Sequence, residues 1–190
     1  MAQTVKAVYY RGGSSKAVFF HEDDIPAPGP SRDRFIKRLM GTPDPIQIDG
    51  MGGSRVITSK VAIVRKSGRE DADIDYTFAQ VGINDDTIGY KGNCGNISAA
   101  VGPFALSENL VEENRPGVSL VKGVPSRIVR IFNTGTQKML ISHIPVDSKT
   151  GKVIESGDFS IAAVPGTGAP ILLDYSQVNR YGIVLKMKFS

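Results

Sequence analysis

Apolar residues fall in short stretches along most of the chain, and glycine, proline, asparagine or aspartate interrupts them every few residues. Val5 to Tyr10 and Ala17 to Phe20 are two β-rich runs around Arg11-Gly12-Gly13-Ser14-Ser15-Lys16, a pattern that predicts a hairpin. Glu22 to Pro30 holds three prolines and reads as a loop. Ser31 to Met40 predicts a short helix: Ser31 can cap it, Asp33 sits in its first turn, Phe35, Ile36 and Leu39 form a stripe, and Gly41 ends it. Ile46 to Ile48 reads as a short extended piece. Val56 to Val64 and Ile74 to Val81 read as strands joined by a polar turn. Asn96 to Leu110 is the longest helical candidate, with Gly102 and Pro103 expected to bend or split it.

Strands recur in the second half: Val118 to Val121, Ser126 to Phe132, Lys138 to Pro145 and Gly157 to Val164, then Ile171 to Leu173 and an alternating tail from Tyr181 to Phe189. No repeat of 20–50 residues and no low-complexity tract occurs. Many short strands around one central helix argue for an α+β domain in which a curled sheet wraps a helix.

Composition narrows the function classes. The chain has 190 residues, 41% hydrophobic and 22% charged, ordinary for a soluble globular protein. The net charge is +4, with no Lys/Arg block longer than two residues and no basic–aromatic interleaving, so the pattern gives no support for nucleic-acid binding. A mildly basic balance suits small anionic substrates. One cysteine excludes an intrachain disulfide and a multi-thiolate metal site, and His21 and His143 show no ligand spacing, so no metal is expected. No leader-like N-terminus and no segment near the ~20 apolar residues of a membrane span stand out, so a soluble cytoplasmic protein is expected.

The cysteine itself is the sharpest chemical clue. Cys94 lies in Lys91-Gly92-Asn93-Cys94-Gly95-Asn96, directly before the long helical candidate. Glycines and asparagines suit a backbone that turns sharply and leaves N–H groups free. A helix start also favours anions through its dipole and orphan amides. Buried inert thiol and reactive thiol both remain open for a lone cysteine; the local context favours the second. Three glycine-rich loops, Arg11 to Lys16, Gly50 to Ser54 and Gly92 to Asn96, are either plain turns or carboxylate cradles. None has the GxGxxG or P-loop form. Lys60 sits in an otherwise apolar strand; it either points to water or lies in a cleft suited to acid/base work.

Taken in order, Tyr10-Arg11-Gly12-Gly13-Ser14-Ser15-Lys16, Asp49-Gly50-Met51-Gly52-Gly53, Ser59-Lys60-Val61-Ala62, Gly92-Asn93-Cys94-Gly95-Asn96 and Gly166-Thr167-Gly168-Ala169-Pro170 resemble the PrpF-like isomerases of the diaminopimelate-epimerase superfamily. The resemblance implies a diaminopimelate-epimerase-like domain. It also implies cofactor-independent proton transfer that moves a C=C bond in an unsaturated di- or tricarboxylate of the aconitate, methylaconitate, methylitaconate or oxalomesaconate kind. It assigns Lys60 and Cys94 as catalytic residues. It assigns Gly13, Ser14, Ser15, Met51, Gly52, Gly53, Ser54, Asn93, Gly95 and Asn96 to substrate binding. Family members have two such domains, with the site in the cleft between them. Residues 1–190 correspond to the N-terminal one only, with an atypical tail over 175–190. A homodimer covering the half-site, a non-catalytic carboxylate-binding or partner-binding remnant, and a fragment of a longer protein are therefore all open. The tail is expected to supply a closing strand.

Overall fold

A computed structural model describes residues 4–111, 118–121 and 123–176. Among them nine strands form one sheet: β1 (Val8–Gly12), β2 (Ser15–His21), β3 (Lys60–Lys66), β4 (Ile74–Val81), β5 (Ile88–Gly89), β6 (Val118–Val121), β7 (Val124–Asn133), β8 (Lys138–Pro145) and β9 (Leu172–Asp174). The main path runs β1-β2-β3-β4-β7-β8-β9, with β5 beside β4 and β6 beside β7. Neighbours are antiparallel except β2/β3 and β4/β7. Two helices, α1 (Pro30–Met40) and α2 (Gly95–Ser107), pack on opposite faces.

The sheet curls because one helix needs both of its ends. α2 touches β1, β2 and β3 at one side and β8 and β9 at the other. Its buried face, Ile97, Val101, Phe104 and Ala105, meets Ala17, Phe19, Ala62, Tyr76, Ile131 and Ile144. On the outer face Ile36 and Met40 of α1 cover Val18, Phe20, Val61 and Ile63. Strands β2 and β3 are thus covered on both sides, which is why they read as nearly unbroken apolar runs.

Several expectations change. α1 is capped by Gly29, not Ser31, because Pro30 fits the first helical position, where its fixed φ is favourable and no N–H is needed. Gly41 ends the helix in the left-handed conformation, as expected. Residues 46–48 are turn, not extended: the Asp44 carboxylate accepts the N–H groups of Ile46 and Ile48. Residues 56–59 are also turn, closed by Thr58 on the Arg55 carbonyl, so β3 begins at Lys60. Residues 157–164 form no strand; they are turns around Ala163 at φ 64°, with one bridge from Phe159 to Gly168. α2 is continuous through Gly102 and Pro103. The glycine is needed for packing, since a Cβ there would lie 2.7 Å from Ile144 and 2.8 Å from Ser142 Oγ. The tail strand expected at 181–189 lies outside the described residues.

Candidate functional site

The first turn of α2 is built onto the β1–β2 turn. Gly12 and Ser15 still pair across the ladder, so the loop is only Gly13-Ser14, with Gly13 at φ 51°. A Cβ on Gly12 would stand 2.2 Å from the Asn96 carbonyl oxygen, so glycine there permits the helix start to sit directly on the hairpin. Asn96 Nδ2 then donates to Ser14 Oγ at 3.0 Å and Ser15 Oγ at 3.4 Å. Cys94 is the N-cap, extended at φ −115° and ψ 106°, and half-buried with no side-chain capping bond. Gly95 and Asn96 follow, and their amides lie in the turn whose N–H groups have no intrahelical acceptor. Gly13, Ser14, Ser15, Cys94, Gly95 and Asn96 therefore form one cluster.

Lys60 opens β3 at the same end of the sheet. The parallel register Val18↔Val61 places it level with the start of β2, and Lys16 N–H donates to the Ile57 carbonyl just before it. Alternation puts Lys60 on the α2 face with Ala62 and Val64. The residue is only 5% exposed. Its Nζ donates to Gln80 Oε1 at 2.5 Å and lies 5.1 Å from the Phe78 ring centre. Gln80 presents oxygen to it because its own amide nitrogen donates to the Ser59 and Val56 carbonyls. Among the described residues no carboxylate pairs with Lys60. A Cβ at Gly92 would lie 3.9 Å from that same Phe78 ring, so one aromatic flanks both the ammonium and the cysteine loop.

The loop Met51 to Ser54 reaches this end of the sheet through Gln47, which is 1% exposed. Gln47 Nε2 donates to Ser59 Oγ at 2.9 Å, next to Lys60, and its Oε1 accepts the Ser54 N–H. A Cβ on Gly52 would collide with this glutamine. The N–H groups of Met51 and Gly52 donate to the Leu39 and Met40 carbonyls at the end of α1. Of the four amides expected to cradle a carboxylate here, three are therefore engaged in holding the loop, and Gly53 N–H is the one left.

Sequence reasoning missed several polar groups around the cysteine. Tyr76 and Tyr175 bring hydroxyls that are buried without a hydrogen bond. Burial, with the Cys94 sulfur nearby, pushes both hydroxyls above the ordinary tyrosine range, Tyr76 far above it, so they stay protonated. Ser98 Oγ contacts Asn93 Oδ1 at 2.8 Å and the Cys94 carbonyl at 3.0 Å. A signal existed for Tyr76 and Gln80: both are polar members of the inward-facing positions of β4. Gln47 left no such signal, since its role depends on a turn closed by tertiary contacts.

Other polar residues have structural partners. His21 meets Glu108, and His143 meets Ser119. Glu22 holds Arg32 and Arg65 in ion pairs. A cleft of about 470 Å³ under α1 is lined by Arg32, Arg65, Asp33, Asp75 and Tyr90. Arg32 and Arg65 pair with Glu22 and Asp75 at 2.8–3.2 Å, and Asp33 accepts a hydrogen bond from the Tyr90 hydroxyl at 2.6 Å. Among the described residues no three His, Cys, Asp or Glu side chains converge as a metal site, and no helix is long and apolar enough to cross a membrane.

Comparison with known proteins places this geometry. A solved structure of methylitaconate-delta-isomerase superposes with a TM-score of 0.81 at 46% identity, over 91% of this chain and 42% of that one. The chain is 47% identical over 173 residues to 3-methylitaconate isomerase of Eubacterium barkeri, covering 90% of this chain and 42% of that protein. It is 44% identical to 4-oxalomesaconate tautomerase of Pseudomonas putida, covering 94% of this chain and 46% of the relative. It is 44% identical to 2-methyl-aconitate isomerase of Cupriavidus necator, covering 90% and 43% respectively. The chain thus spans less than half the length of these relatives. The fold is that of the isomerase domain, as the motif order implied. With the family model described as PrpF protein matching residues 2–183, the chain belongs to the PrpF family.

Proposed function

We propose that the chain carries the proton-transfer half of a cofactor-independent isomerase that shifts a C=C bond in a small unsaturated di- or tricarboxylate. The observation that carries this reading is Lys60: an ammonium 5% exposed, with no carboxylate beside it among the described residues, on the face that the start of α2 shares. A buried cation without a counter-ion is costly unless an anion arrives to complete the site. Substrate carboxylate meets that need.

In the proposed reaction a base takes a proton from the allylic carbon. The electrons of that C–H bond form the new double bond, the old double bond moves out, and its far carbon receives a proton. Lys60 serves as one acid/base. Cys94 serves as the second, or orients the substrate. Charge that develops on the adjacent carboxylate meets the free N–H groups of Gly95 and Asn96 and the hydroxyls of Ser14 and Ser15. Gly13, Gly53, Ser54 and Asn93 complete the reading of substrate contacts, with Met51 and Gly52 shaping the loop. A cytoplasmic location and a homodimer in which one copy covers the other's site are part of this proposal. The second reading is a carboxylate-binding or partner-binding remnant without turnover.

Proton NMR in deuterated water decides between them. Cis-aconitate, 2-methylaconitate, 3-methylitaconate and oxalomesaconate are followed over time with wild type and Cys94→Ser. Loss of one substrate's allylic signal with growth of a new vinylic pattern supports the isomerase. Carboxylates that bind without exchanging any proton overturn it in favour of the remnant.

A further inference from the structure

The turn joining β7 to β8, Asn133-Thr134-Gly135-Thr136-Gln137-Lys138, grips the loop that carries Cys94. Thr134 N–H donates to the Tyr76 carbonyl, and Thr134 Oγ1 meets Thr77 Oγ1 at 2.6 Å. A Cβ on Gly135 would stand 2.0 Å from the Tyr90 carbonyl oxygen and 3.3 Å from that of Gly92. The turn therefore lies flat against residues 90–92.

The hydrogen bonds leaving this turn have a fixed direction. Thr136 N–H, a backbone group that can only donate, is 2.9 Å from Asn133 Oδ1. The other end of the Asn133 amide is then its NH₂, which donates to Asn93 Oδ1 at 3.0 Å. Ser98 Oγ lies 2.8 Å from the same Oδ1 and 3.0 Å from the Cys94 carbonyl, its one proton shared between the two acceptors. With its oxygen held by the Asn133 NH₂, the Asn93 amide turns its own NH₂ the other way. Gly95, two residues on, has the Tyr175 hydroxyl 3.5 Å from where its Cβ would be. Asn133 is fully buried, so no water competes for its amide.

We propose that Asn133 is a positioning residue: through Asn93 it makes the cysteine loop present two N–H donors, rather than an oxygen, to a carboxylate at the start of α2. This rests on the reading that this helix start receives a substrate carboxylate, but the orientation itself is tested separately. Sequence reasoning gave Asn133 no role, since its effect passes through a second side chain 40 residues away.

The test uses protein labelled with ¹⁵N-asparagine. In wild type the Asn93 side-chain protons should show NOEs to Gly95 and the Tyr175 ring. In Asn133→Asp both side-chain oxygens are acceptors: one keeps the Thr136 N–H, and the other faces Asn93. Asn93 should then reverse, moving its NOEs to residues 133 and 98 and showing its oxygen to the helix start. Binding of tricarballylate, a saturated tricarboxylate probe, should weaken about tenfold or more. Asn133→Ala, which removes the orienting bond without adding charge, should weaken it less. Wild-type NOEs that run to Asn133, or an unchanged pattern in Asn133→Asp with native amide dispersion, overturn the proposal. The NOE pattern decides orientation whether or not the probe binds, so failure of the isomerase reading is distinguishable from failure of this one.

Discussion

Replacing Lys60 by methionine separates a functional lysine from a structural one. The ammonium is 5% exposed, and desolvating such a charge costs several kcal/mol. Against this stands the bond to Gln80 at 2.5 Å, about 1.5–3 kcal/mol for a charged donor. The Phe78 ring at 5.1 Å adds roughly 0.5–2 kcal/mol. The terms nearly offset. Methionine keeps the length and the contact with Phe78, where sulfur over a ring is worth about 0.3–1.5 kcal/mol. Gln80 is half-buried, so its oxygen can turn to water. The expected change in stability is within about 1 kcal/mol, a shift in Tm of no more than about 4 °C for a chain of this size. Removing one member of a true buried ion pair costs roughly 3–5 kcal/mol instead. Thermal unfolding followed by circular dichroism reads the first quantity, and substrate proton exchange in deuterated water the second. The reasoning requires near-native Tm together with lost exchange. A fall in Tm beyond about 6 °C would make Lys60 a structural residue, and retained exchange would remove it from the chemistry.

Gly12→Ala should cost about 2–4 kcal/mol, since its Cβ meets the Asn96 carbonyl at 2.2 Å with backbone on both sides; Gly68→Ala and Gly89→Ala, with open space around them, should stay within about 0.5 kcal/mol, all read as urea midpoints. Tyr76→Phe removes a buried hydroxyl that has no hydrogen bond, so thermal stability should hold or rise by up to about 1 kcal/mol; a loss above that would reveal a bond to that oxygen. The Glu108 carboxyl is held below the usual carboxylate range by its hydrogen bond from Lys6, assisted by His21. A depressed carboxyl stabilises the fold above its unfolded value near pH 4.3 and loses that contribution as pH falls through its folded value. The stability gap between wild type and Glu108→Gln should therefore be present at neutral pH and close on acidification; a gap that widens in acid would refute the sign.

The strand pattern located most of the sheet, and the reason lies in burial. β4 and β8 occupy the expected residues because alternation or dense apolar composition matched what the curled sheet covers, and β6 falls where expected although Leu120 is exposed. The failures at 46–48 and 56–59 share a cause. Apolar side chains there invited a strand, but Asp44 and Thr58 closed local turns that left Ile48 and Val56 exposed. Motif order brought Lys60, Cys94 and the hairpin residues into one reading; the parallel β2/β3 register sets Lys60 level with the start of β2, and Gly12 lets the start of α2 sit on the hairpin. What composition could not carry was direction. Whether Gln80 offers oxygen to Lys60 is settled by backbone acceptors distant in sequence, and the orientation of the Asn133 amide by the Thr136 N–H. The amides of Met51 and Gly52 illustrate the converse: glycine-rich spacing marks free N–H groups only when no helix end claims them.

The parallel seam between β4 and β7 also governs when the domain can form. Asp73 and Arg130, which meet at its edge, are 57 residues apart, and α2 lies in the chain between the two strands. During synthesis α2 leaves the ribosome before the strands that roof half of its apolar face. Its Ile97, Val101 and Phe104 must wait for β7 and β8. Such non-local closure slows folding and lengthens exposure of sticky surface. The thiol waits with them, since the turn that grips its loop also follows α2 in the chain. The domain is thus most vulnerable to aggregation and oxidation as a nascent chain, before β8 and β9 have emerged to cover α2.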